Sequence, residues 1–173
     1  MVKSDITKYV QIMLCFSIIF SRVMPHPPNM TPLIAFAIFL ASQSRYAWIG
    51  VLASFLISDI LLSLMFHYPL FGLWTVFTYS GMLGVVLFAQ YYRRFNILFG
   101  FSATLFFWIW TNFGVWLTSN LYPLSSQGLL DCYIAAIPFL VNNLLGTGIG
   151  YALLKIVLPE DKKARLLLST PSL

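Results

Sequence analysis

The chain predicts an all-α integral membrane fold, a bundle of six transmembrane helices with both termini on the cytoplasmic side. Three observations carry this. Hydrophobic residues make up 60% of the 173 positions and charged residues only 9%. A soluble domain carries about 25% charged residues, so a chain this size leaves lipid as the solvent for much of its surface. Polar punctuation cuts the chain into six apolar segments, and the basic residues are sorted between the connections.

The first segment, 9–23, follows Lys3 and Lys8. This order resembles the start of a signal peptide, but Ser21-Arg22-Val23-Met24-Pro25 offers no small-x-small cleavage site, so the segment reads as a retained helix. Pro25-His26-Pro27-Pro28-Asn29 cannot continue it and forms a rigid loop. Thr31-Pro32 reads as an N-cap followed by proline at the first helical position. The second segment, 31–44, rises only about 21 Å at 1.5 Å per residue. Tilting, local thinning of the bilayer and a re-entrant path all fit a segment this short. The third runs over 46–66, the fourth over 70–91 and the fifth over 96–117. A polar connection over 118–131 precedes the sixth, 133–158, and a charged tail follows at 160–165. The remaining segments approach or reach the roughly 20 residues that a spanning helix needs.

Charge sets the orientation. Six spans place Lys3, Lys8, Arg45, Arg93, Arg94, Lys155, Lys162, Lys163 and Arg165 in the cytoplasm and Arg22 alone outside, nine against one. Five spans give eight against two, with Lys3 and Lys8 on the wrong side. The net charge of +5 therefore reads as topology. No clustered basic face exists, which excludes nucleic acid as a partner.

Ionisable and amide groups inside a membrane mark sites or helix contacts. Asp59 falls in the outer half of the third helix, with Phe55 and Ser63 on its face. Arg22 closes the first helix, and it is the expected partner of Asp59. Trp108, Asn112 and Trp116 form a stripe on the fifth helix, with Thr111 beside it. Asn142 and Asn143 lie near the middle of the sixth. The groups gather beneath the three outward connections, the pattern of a pocket open to the outside and closed below. Its expected substrate-binding residues are Arg22, Asp59, Trp108, Asn112 and Asn142, with Phe107 and Phe113 as walls. Each also has a structural reading: an ion pair between helices for Asp59 and Arg22, a backbone bond for Asn112, an interfacial anchor for Trp116.

No catalytic residue is expected. GxSG, HExxH, CxxC, a Gly-rich phosphate loop and paired carboxylates are all missing. His26 and His67 are too far apart in the chain to argue for a metal, and no cofactor is called for. Cys15 and Cys132 read as small buried hydrophobes, not as a disulfide or a reactive thiol. Small residues four apart, Ser17/Ser21, Ala37/Ala41, Ser80/Gly84 and Gly146/Gly150, read as internal packing positions.

The string Arg22-Val-Met-Pro25-His26-Pro27-Pro28-Asn29-Met-Thr31-Pro32, the Ser58-Asp59 pair, Thr111-Asn112-Phe113-Gly114-Val-Trp116, and Gly128-Leu-Leu-Asp-Cys132-Tyr133 through Pro138-Phe139 resemble an uncharacterised bacterial membrane-protein family. That family is grouped with the substrate-binding S components of energy-coupling factor (ECF) vitamin transporters. The resemblance spans roughly residues 22–150. It implies a multi-pass protein of the bacterial cytoplasmic (inner) membrane that captures a vitamin-like micronutrient from outside. A transmembrane T component and ATPase subunits would then be its partners, beside the lipid bilayer. Ser17-Ile-Ile-Phe-Ser21 stands where such proteins carry an alanine pair that meets the T component. The alternative is a non-catalytic membrane scaffold or assembly protein, and a co-purifying small molecule or a stable protein partner would separate the two.

Overall fold

In lipid a backbone has no water to bond, so each apolar segment satisfies its own amides as a helix. A computed structural model describes residues 2–92 and 95–157, with backbone alone for 2–8, and it contains six helices. They are α1 (Val2–Val23), α2 (Leu33–Gln43), α3 (Ala47–Phe66), α4 (Leu73–Tyr92), α5 (Ile97–Thr118) and α6 (Ser126–Val157). Among the described residues there is no strand. The four helices α3 to α6 are long and apolar enough to cross a membrane, while α1 holds a shorter apolar stretch, Tyr9–Val23. Arg93, Arg94 and the tail at 160–165, on which part of the charge bias rests, lie outside the described residues.

The short second segment is the centre of the bundle. Nine of the 11 residues of α2 are buried, from Leu33 to Ala41, and the helix packs against all five others. At roughly 16 Å it is half a bilayer core in length, and protein surrounds what lipid would otherwise meet. The other helices turn Phe16, Leu64, Phe88 and Leu98 outward.

Glycine permits the closest approach. A Cβ at Gly146 would lie 2.6 Å from the Thr31 amide nitrogen, and one at Gly150 would meet Pro32 and Ala35. The chain entering α2 thus lies directly on α6, and the Gly146/Gly150 pair serves internal packing as expected. Thr31 does not cap α2. Pro32 occupies that position, no side chain caps the helix, and the Pro32 carbonyl accepts from the Phe36 amide at 3.1 Å.

The sixth helix begins at Ser126, not at 133, which corrects the expected polar connection over 118–131. The Ser125 hydroxyl accepts from the Gly128 amide at 3.1 Å, and the Ser125 carbonyl accepts from Leu129 at 2.9 Å. Gln127 then donates to Asp131 one turn on, at 2.9 Å. These polar turns are helical because their caps and side chains satisfy the backbone, although their hydropathy resembles a loop. With 32 residues the helix is about 48 Å long, longer than the hydrocarbon core of about 30 Å.

One end of the bundle collects the α1–α2, α3–α4 and α5–α6 connections. At the opposite end Gln90 donates to the carbonyls of Ser44 and Arg45, at 3.0 and 2.9 Å, closing the α2–α3 turn.

Candidate functional site

A cavity of about 920 Å³ opens at the end that carries the three connections, and all six helices line it. Aromatic rings stand on several sides of it: Phe55 and Phe66 on α3, Phe107 and Trp108 on α5, Phe139 on α6. Aromatic walls with a few polar groups suit a small organic ligand.

Arg22, in the last turn of α1, reaches across to α3. Its Nη1 donates to the Ser58 hydroxyl at 2.6 Å and to the Phe55 carbonyl at 3.3 Å. Its Nη2 donates to Asp59 Oδ1 at 2.6 Å. The guanidinium lies over the Phe55 ring, 4.2 Å from its centroid. The other carboxylate oxygen accepts from the Tyr79 hydroxyl of α4 at 2.8 Å, so one ion pair ties three helices together. Arg22 lines the cavity and Asp59 does not. Asp59 stands behind Arg22 as a positioning residue. Near the mouth, burial, with the Asp59 carboxylate adding to it and Arg22 opposing, pushes the Tyr68 phenol above its ordinary range, which keeps it neutral.

The facing wall comes from α5 and α6. Trp108 lines it, with its indole N–H donating to the Ala136 carbonyl at 2.9 Å and its ring 5.2 Å from that of Tyr133. This bond fixes the ring plane. Asn112 lies one turn further and gives one amide hydrogen to the Trp108 carbonyl at 2.8 Å, which leaves its side-chain oxygen open. Cys132 is buried and lines the cavity, its thiol 3.5 Å from the Asn112 backbone carbonyl.

Two expected residues lie elsewhere. Asn142 does not line the cavity; it donates to the Pro28 carbonyl at 3.0 Å and holds the first connection onto α6. Its neighbour Asn143 faces inward instead. Phe113 is also outside the wall, packed with Phe77, Trp110 and Trp116. Trp116 donates to the Pro123 carbonyl at 3.0 Å and pins the α5–α6 connection. Sequence reasoning missed Tyr79 and Thr78, which carry no motif and sit in a helix whose polar residues, Gln90 at its far end apart, are all hydroxyl residues. His26 lines the mouth and His67 does not, its φ of 56° serving the end of α3.

Below the cavity, polar content is sparse. Thr104 and Thr147, both fully buried, share one hydrogen bond of 2.8 Å between α5 and α6. The floor is otherwise apolar packing around α2.

No curated protein and no solved structure matches this chain. Residues 3–159 match a family of unknown function (DUF6580), and the chain belongs to that family.

Proposed function

We propose that this protein captures a small, flat, partly polar micronutrient at the outer face of a cytoplasmic membrane, as the substrate-binding component of an uptake system. The observation that carries this reading is the aromatic-walled cavity at the three-connection end, with Arg22, Asn112 and Asn143 placed around it. In this reading the chain crosses the membrane six times, with the short α2 enclosed by protein, the termini lie inside, and the cavity faces out because Arg22 is the lone Lys or Arg at that end. The resemblance to S components agrees with a pocket under these connections, and it implies a T component and ATPases as the source of energy. Stacking on Trp108 contributes about 0.5–1.5 kcal/mol beyond burial. Asn112 orients the ring through its open oxygen.

Titration of tryptophan fluorescence with vitamins, their precursors and nucleobase-like compounds tests the reading. Binding of one compound, weakened at least tenfold by Trp108→Ala with Asn112→Ala, is the expected result. A protein that binds nothing, and whose double variant grows normally on limiting micronutrients, is a scaffold instead. Orientation is tested separately. Cysteines introduced at Ser125 and at Lys162 are expected to react with an impermeant maleimide from opposite sides, and reaction of both from one side overturns the six-span arrangement.

A further inference from the structure

An arginine lining a cavity is ordinarily an anion hook. This one is already neutralised. Asp59 lies 2.6 Å from its Nη2 and receives a second bond from Tyr79, so both carboxylate oxygens act as acceptors, as an ionised group requires. Among the described residues that line the cavity, Arg22 is the one Lys, Arg, Asp or Glu. The site therefore carries a closed ion pair and no net charge. A carboxylate or phosphate entering it would lose its hydration without gaining a free counter-charge, and would meet Asp59 just behind the guanidinium.

The free hydrogen-bond capacity points the same way. Three of the five N–H groups of Arg22 are spent on Phe55, Ser58 and Asp59, which leaves two. Among the other lining residues Thr78 and Thr111 present lone pairs, while the amides of Asn112 and Asn143 and the phenols of Tyr68 and Tyr122 can both donate and accept. Thr78 donates to the Trp74 carbonyl at 3.2 Å, and Thr111 to the Phe107 carbonyl at 2.9 Å, so both hydroxyls face the cavity as acceptors. Asn112 has its side-chain oxygen open. His26 at the mouth lies with Nδ1 2.6 Å from the Met24 carbonyl. A carbonyl only accepts, so Nδ1 holds the proton. An anion carries acceptors alone and would face the lone pairs of Thr78 and Thr111, whereas a neutral ligand with donors and an acceptor can use both kinds of group.

We propose that the cavity selects an uncharged ligand, a ring compound bearing N–H donors and one carbonyl or ring-nitrogen acceptor, as in an amide, lactam or imide, and rejects its carboxylate counterpart. The acceptor takes the remaining N–H groups of Arg22, a charge-assisted bond that brings no second charge into the site. The donors meet the acceptor wall of Thr78, Thr111 and Asn112. This rests on the uptake reading and names the class of molecule at the same site.

Matched pairs test it: nicotinamide with nicotinate, uracil with orotate, 4-aminobenzamide with 4-aminobenzoate. Binding to the purified full chain is read by tryptophan fluorescence and by ligand-induced thermal stabilisation. Any compound that binds from the wider panel is paired with its own amide or acid. The neutral member is expected to bind at least tenfold tighter in the wild type. Asp59→Asn, which frees the charge of Arg22, is expected to narrow or reverse that preference, and Arg22→Gln with Asp59→Asn to keep it at lower affinity. Should Asp59→Asn fail to fold, the wild-type ratio and the double variant decide. Tighter binding of the carboxylate by the wild type overturns the proposal and leaves uptake standing. No binding by any compound overturns both.

Discussion

Asp59→Asn is expected to loosen the bundle and weaken capture together, with Arg22→Gln adding little once Asp59 is gone. The carboxylate joins α1, α3 and α4 through Arg22 and Tyr79. Both members of the pair are mostly shielded, at 18% and 15% side-chain exposure. Removing one partner of a buried pair costs about 3–5 kcal/mol, because a charge is left without compensation. The cost here falls below that, since the cavity gives the guanidinium an opening. The amide of the Asp59→Asn variant would keep the shape and one acceptor but would leave the Arg22 charge beside Phe55. Groups in one network couple by about 0.5–3 kcal/mol, and the two substitutions are expected to show a coupling in the upper half of that range. Unfolding of the two single variants and the double variant in detergent measures it. Strict additivity means that the pair contributes nothing to stability and that Asp59 does not position Arg22.

The second large effect comes from a residue that touches no ligand. Gly146→Ala is expected to destabilise the protein by about 1–3 kcal/mol, the range for overpacking a filled interior, and toward its upper end. The added methyl would press on the amide nitrogen, carbonyl carbon and oxygen of Thr31, backbone that cannot rotate away as a side chain can. Relief requires α2 to move off α6. Pro28, Thr31 and Leu33 line the cavity, so that shift would also reshape its wall and lower affinity. Gly148→Ala, two residues away, supplies the control. A Cβ there meets nothing within 4 Å, so stability should hold or rise slightly, as alanine favours helix over glycine. Equal effects from the two substitutions would show that helix propensity decides, not the contact with Thr31.

Much of the fold is legible in the chain itself. A run of apolar residues in lipid has no choice but helix, so six segments make six helices with ends mostly within a few residues of expectation. Arg22 and Asp59 are an expected pair because two opposite charges in an apolar chain find each other or remain costly. The starts of α1 and α6 lie ahead of the expected 9 and 133 because polarity alone reads as a loop. Ser125 and the Gln127–Asp131 bond make those turns of α6 helical, and hydropathy does not register a cap.

The sequence by itself determined the class, the number of helices and the set of polar groups available for a site, since those follow from how each residue partitions between lipid and water. Which of those groups face one another was decided by tertiary structure alone. Asn142 and Asn143 differ by one step of roughly 100° around a helix of 3.6 residues per turn. On a helix that is apolar nearly all round, no pattern fixes which face turns inward. The packing of Gly146 and Gly150 against the entry to α2 sets that rotation, sending Asn142 to Pro28 and Asn143 to the cavity. The same contact puts an 11-residue helix at the centre of the bundle. Its length is too short for a lipid-facing span, and burial on every side makes it the core.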